Sequence, residues 1–181
     1  FVVVVAHRRF GKTVAAINEA IRAVIDCQLE RPRIGYIAPT YSQAKRVAWD
    51  YLTHYTRPLG AVPNIAELRV DFWDRRIQLY GSDNPDALRG QYFDLVILDE
   101  IADQNPKIWN EIIRPALADR KGKAIFIGTP KGQNHFKELR DRAETEPDWA
   151  LLEFRASETG IVDQAELDAA KREMGDDKYA Q

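Results

Sequence analysis

An octet ending in Gly11-Lys12-Thr13 lies between an apolar run, residues 1–6, and a segment of helical periodicity. Backbone amides at a helix N-terminus bind phosphate oxygens, a lysine there reaches the terminal phosphates, and a Ser/Thr hydroxyl ligates Mg²⁺. Ala6-His7-Arg8-Arg9-Phe10-Gly11-Lys12-Thr13 supplies the end of that pattern, with Ala6 where a glycine usually leads. Taken alone, the octet also reads as a basic strand-to-helix turn. A second group follows where the apolar run 93–98 stops in Asp99-Glu100. A nucleotide hydrolase needs one carboxylate to hold Mg²⁺ and another to orient or activate the attacking water. By itself an acidic pair after a strand is more often a helix cap; combined with the Gly-Lys-Thr loop, the balance turns to catalysis. A third run, 124–127, ends in Gly128-Thr129-Pro130. There the Thr129 hydroxyl either meets a γ-phosphate or belongs to a plain turn. Arg8 and Arg9 inside the octet, and Arg89 ahead of the acidic strand, are candidates to neutralise phosphoryl charge. Such an arginine is worth roughly 10³–10⁵ in rate, although most arginines are solvated surface groups.

These side chains need elements to hold them. The run 1–6 is β-branched and apolar throughout, as in a strand buried on both faces. Residues 13–28 carry a helical pattern, with Asn18, Arg22 and Asp26 on one polar stripe. A strand over 34–38 stops at Pro39, and a helix follows over 41–56. Leu68, Val70 and Phe72, then Ile77 and Leu79, alternate with polar residues on either side of Asp74-Arg75, which predicts a β-hairpin. Residues 81–90 form a polar loop, 108–118 and 134–143 are helical, and 124–127 and 150–154 are strands. Alternating strands and helices at crossover spacing imply a mainly parallel sheet covered on both faces. Asp163 and Glu166 resemble a capping box for a last helix that Gly175 closes.

The 181 residues and 20.7 kDa suit one domain with a small appendage. With 26 basic and 28 acidic residues, net charge −2 and pI near 6.0, the chain is not a simple basic coat for nucleic acid. A lone cysteine, Cys27, excludes an intrachain disulfide and reads as a filler in or near the core. No run is long enough for a signal peptide or a membrane span, so a reducing, cytosolic setting is the default. His7, His54 and His135 lack ligand spacing. Trp49, Tyr51 and Tyr55 read as packing, and Arg75-Arg76 as a solvated turn.

Taken together, Ala6–Thr13, Ile37-Ala38-Pro39-Thr40-Tyr41-Ser42-Gln43-Ala44-Lys45, Leu88-Arg89-Gly90, Leu98-Asp99-Glu100 and Gly128-Thr129-Pro130 resemble the ATPase domain of bacteriophage large terminase subunits, the DNA-packaging motors. The resemblance implies a three-layer α/β P-loop NTPase fold with a mainly parallel central sheet, a β-hairpin insertion and the start of a C-terminal lid. Residues 1–156 would be the ATPase core and 157–181 part of the lid. It implies ATP and Mg²⁺ as cofactors. Residues 6–13 and Thr129 would bind ATP, with Lys12 on the triphosphate, Thr13 and Asp99 at the metal and Glu100 as catalytic carboxylate. Arg8 would act in cis and Arg89 in trans, and Thr129 would couple hydrolysis to movement.

The implied partners are double-stranded DNA, the portal protein and the small terminase subunit. The implied assembly is a homo-oligomeric ring on the procapsid, or a monomer in isolation, in the host cell cytoplasm with no membrane. The family has an adenine-contacting segment upstream and an RNase H-like nuclease domain downstream. This chain begins at the first strand, so an excised ATPase core without cleavage activity, and with weakened nucleotide affinity, is expected. Two other readings stay open: a helicase-like P-loop ATPase, and a nucleotide-binding assembly module without turnover.

Overall fold

The computed structural model describes residues 1–161, 163 and 172. In chain order the elements are β1 (Val2–Ala6), α1 (Lys12–Asp26), β2 (Arg33–Ala38), α2 (Tyr41–Thr56), β3 (Val62–Asn64), β4 (Arg69–Phe72) and β5 (Arg75–Gly81). After the polar loop come β6 (Leu95–Asp99), a π-helical turn Ile108–Ile113 running into α3 (Arg114–Ala118), β7 (Lys123–Gly128), α4 (His135–Thr145), β8 (Ala150–Phe154) and a last turn α5 (Ala156–Thr159). The predicted capping box and final helix lie outside the described residues.

All strands join one eight-stranded sheet in the order β3-β4-β5-β2-β6-β7-β1-β8. The six from β5 to β8 pair in parallel, and β4 and β3 add an antiparallel flap at one edge. The predicted hairpin is therefore part of the main sheet, because β5 pairs with β2 from Arg33↔Arg76 to Ala38↔Gly81. Strand β3 escaped sequence reading because three residues around a proline carry no alternation. Its place at the sheet edge is where a missing N–H is tolerated.

Successive side chains of a strand go to opposite faces, and two cores result. Ile34, Tyr36, Ala38, Leu95 and Ile97 pack with α1 and α2. Ile37, Val96, Leu98 and Phe126 pack with the π turn, α3 and α4. The buried strands read as unbroken apolar runs because both faces are covered.

Helix starts follow local chemistry. Thr40 caps α2 by accepting from the Gln43 amide at 3.1 Å. Asn134 caps α4 by accepting from Phe136 and Lys137. The expected solvated pair Arg75-Arg76 is corrected by the structure. The Arg75 guanidinium donates to the carbonyls of Val24 at 2.6 Å and Cys27 at 2.9 Å, satisfying the C-terminus of α1. Arg76 pairs with Asp71 across the hairpin at 2.6 Å.

Candidate active site

The C-terminal ends of the parallel strands share one edge of the sheet, where ligands of open α/β sheets bind. β1 delivers the loop 7–11, β6 delivers Asp99-Glu100, and β7, which lies between them, delivers Gly128-Thr129. Ala6 is fully buried and still in strand conformation, so the glycine usual at that point is not required here. Gly11 is: it stands at φ +88° as the N-cap of α1, a left-handed setting that suits glycine. Arg9 takes the same region at φ +65°.

Lys12 bridges the site. Its ammonium donates to the carbonyls of Ala6 at 3.1 Å and His7 at 2.9 Å, and to Thr129 Oγ1 at 3.1 Å. Burial lowers its proton affinity, while the charges of Glu100 and Asp99 oppose that. Asp99 is buried at the end of β6. Its Oδ1 accepts from the Glu100 amide at 3.0 Å and its Oδ2 from the phenol of Tyr36. Burial raises the Asp99 pKa, and the two hydrogen bonds and Lys12 pull against the rise. Glu100 is raised too, first by burial and then by the neighbouring Asp99 charge. Its backbone sits at φ +48°, a strained setting for a glutamate. Gln104 holds that turn by donating its amide to the carbonyls of Asp99 at 2.8 Å and Ile37 at 3.0 Å.

A cavity of about 310 Å³ lies over the loop, lined by Arg8, Gly11, Lys12, Thr13, Tyr51 and Glu100 among others. Of the predicted residues, Lys12, Thr129, Asp99 and Glu100 are joined by contacts or by their fields, and Arg8 is close enough to depress Lys12 further. Arg9 and Phe10 also line the cavity, whereas His7 and Arg89 stand apart. His7 turns away: its Nδ1 donates to the Arg8 carbonyl at 2.7 Å and its Nε2 lies 2.9 Å from Thr159 Oγ1. The Phe10 ring stacks on Phe154 at 4.3 Å. Phe10 thus braces the loop against the end of β8, and His7 against α5. Arg89 is absent from the cavity lining; its side chain is 64% exposed and pairs with Asp86 at 3.1 Å.

Tyr51, read as packing, is instead 42% exposed at the cavity, whereas Trp49 is in the core and Tyr55 packs against it. Two residues were missed. Tyr36 looks like ordinary core inside an apolar run, and its hydroxyl was the available signal. Gln104 gave none.

Mg²⁺ asks for oxygen ligands and is commonly held by one or two carboxylates together with substrate phosphates and waters. Thr13 and Asp99 fit that demand, Thr13 with a hydroxyl in the cavity lining and Asp99 with a carboxylate at the end of β6. Among the described residues no cluster of three or more His, Cys, Asp or Glu side chains could hold a metal by itself. No described helix is long and apolar enough to cross a membrane.

No family model matches the chain. The large terminase subunit of Thermus phage G20c is 33% identical over 154 residues, covering 73% of this chain and 31% of that protein. The corresponding subunit of Escherichia phage T5 is 24% identical across the whole chain, 42% of its own length. The chain thus spans less than half the length of these curated relatives. In fold, it superimposes on the large terminase ATPase domain of Thermus phage P74-26 with a TM-score of 0.86 at 24% identity, covering 99% of this chain and 85% of that one. With sequence likeness and fold in agreement, the chain belongs to the phage large terminase subunits and has the P-loop NTPase-like fold of their ATPase domain.

Proposed function

We propose that this chain is the ATP-hydrolysing motor of a phage large terminase, driving double-stranded DNA into a procapsid. One observation carries the reading: Lys12, at the start of α1, hydrogen-bonds Thr129 after β7 and lies within the fields of the Asp99-Glu100 pair at the end of β6. A large terminase from a thermophilic bacteriophage, alike in fold at a TM-score of 0.73, was solved in complex with ADP.

In this reading Lys12 releases its carbonyl and Thr129 partners to engage the terminal phosphates, joined by the loop amides ahead of α1. Thr13 and Asp99 would hold Mg²⁺, which supplies neutralisation of phosphate charge when bound. Glu100 orients the attacking water and accepts its proton. Burial raises its proton affinity, the direction that suits a base. Arg8 stabilises developing charge from within the loop. Arg89, exposed on its own loop, is presented to the neighbouring subunit of a ring on the portal. Residues 1–156 form the ATPase core; the lid expected over 157–181 falls largely outside the described residues. The near-neutral charge implies weak, salt-sensitive DNA contact by this domain alone, made in the host cytoplasm with the small subunit and further domains of the full protein.

The test is steady-state ATP turnover by the full-length protein with Mg²⁺. Lys12→Ala and Glu100→Gln should each abolish turnover, with nucleotide binding lost in the first and kept in the second. Turnover surviving in Glu100→Gln would refute the assignment.

A further inference from the structure

Tyr36 sits in the middle of β2, fully buried, in a strand whose other buried side chains are apolar. A phenylalanine would fill the same volume, and burying a hydroxyl is costly unless it is paired. The register supplies the partner. Tyr36 lies opposite Ile97 of β6, and Asp99 is two residues further along β6 on the same face. That diagonal is within reach of an aromatic side chain, and the phenol donates to Asp99 Oδ2. The other carboxylate oxygen takes the Glu100 amide at 3.0 Å, and the Asp99 carbonyl takes Gln104 at 2.8 Å. The Asp99 carboxyl plane is therefore set from both sides, one of them by a phenol buried in a strand whose other buried side chains are apolar. The Thr13 hydroxyl at the start of α1 also bears on this phenol, pulling its pKa down against the rise that burial imposes.

We propose that Tyr36 is a positioning residue that orients Asp99 for divalent-cation binding by the nucleotide-loaded site. The inference rests on the ATP-site reading above. Tyr36 does not touch the nucleotide. Its hydroxyl acts through the carboxylate, so its removal changes how the site responds to the cation and leaves metal-free nucleotide binding alone.

The experiment is a titration of the full-length protein with a fluorescent ATP analogue, once in EDTA and once with increasing Mg²⁺ at fixed nucleotide. In Tyr36→Phe the EDTA affinity stays at the wild-type value, and the Mg²⁺ concentration for half-saturation rises about tenfold, the loss expected for one charge-assisted hydrogen bond. In an Asp99→Asn background, Tyr36→Phe adds no further loss. A folded Tyr36→Phe with wild-type Mg²⁺ half-saturation overturns the proposal, as does an additive loss in the double variant. Should Tyr36→Phe fail to fold, 3-fluorotyrosine at position 36 of the wild-type protein gives the same decision. Its ¹⁹F resonance moves when Mg²⁺ is added to the nucleotide-bound protein; a stationary resonance overturns the proposal. Wild-type protein that binds no nucleotide overturns the ATP-site reading itself, whereas normal wild-type behaviour with an unaffected Tyr36→Phe overturns the role of Tyr36 alone.

Discussion

Replacing Thr129 by valine tests the bond that links the start of α1 to the residue after β7. Valine keeps the shape and removes the hydroxyl that accepts from Lys12 at 3.1 Å. The ammonium has three donors and three acceptors here: two carbonyls at 3.1 and 2.9 Å and this hydroxyl. Without Thr129 one donor loses its partner, and in the proposed reading that partner is one Lys12 leaves to reach phosphate. A hydrogen bond to a charged group contributes about 1.5 kcal/mol at the lower end, suited to a site that is only part-buried. Relieving Lys12 of that competition tightens ADP binding by roughly tenfold at about 1.4 kcal/mol per tenfold. ADP is the ligand to use, because it lacks the γ-phosphate that Thr129 would itself contact. Calorimetric titration of ADP into full-length wild-type and Thr129→Val protein reads the change. ADP affinity that is unchanged or weaker in Thr129→Val would sink the idea that this bond holds Lys12 back.

Two more expectations follow from electrostatics and capping. Burial raises the Glu100 pKa above its ordinary value, so near that pKa the folded state binds more protons than the unfolded chain. Its contribution then turns unfavourable as pH rises from the ordinary carboxylate range through the raised folded value. Glu100→Gln should therefore melt higher than wild type at pH 7, with the gap closing as pH falls toward 4; a gap that widens in acid contradicts this. Arg75→Ala removes the donor that satisfies the last carbonyls of α1. It should cost about 1–3 kcal/mol in denaturant unfolding, and a value within error of zero would restore the view of that arginine as a solvated turn residue.

Sequence alone determined the residue types of the site and the kind of element that carries each. Phosphate chemistry admits few substitutes for Gly11-Lys12-Thr13 or Asp99-Glu100. Strands covered on both faces leave apolar runs whose ends mark where those residues emerge. What depends on pairing between distant segments was illegible. No local pattern says that β7 lies between β1 and β6, so the meeting of Lys12 with Thr129 could not be placed. Nor could the hydroxyl of Tyr36 be told from core until the register of β2 on β6 put it diagonal to Asp99. Arg75 looked like surface because its acceptors lie some fifty residues away, at the end of α1. The motif residues were readable because their chemistry is carried by type and spacing along the chain. Their supports were decided only in the tertiary structure, because a hydrogen bond between strands is specified by register, which one strand cannot encode by itself.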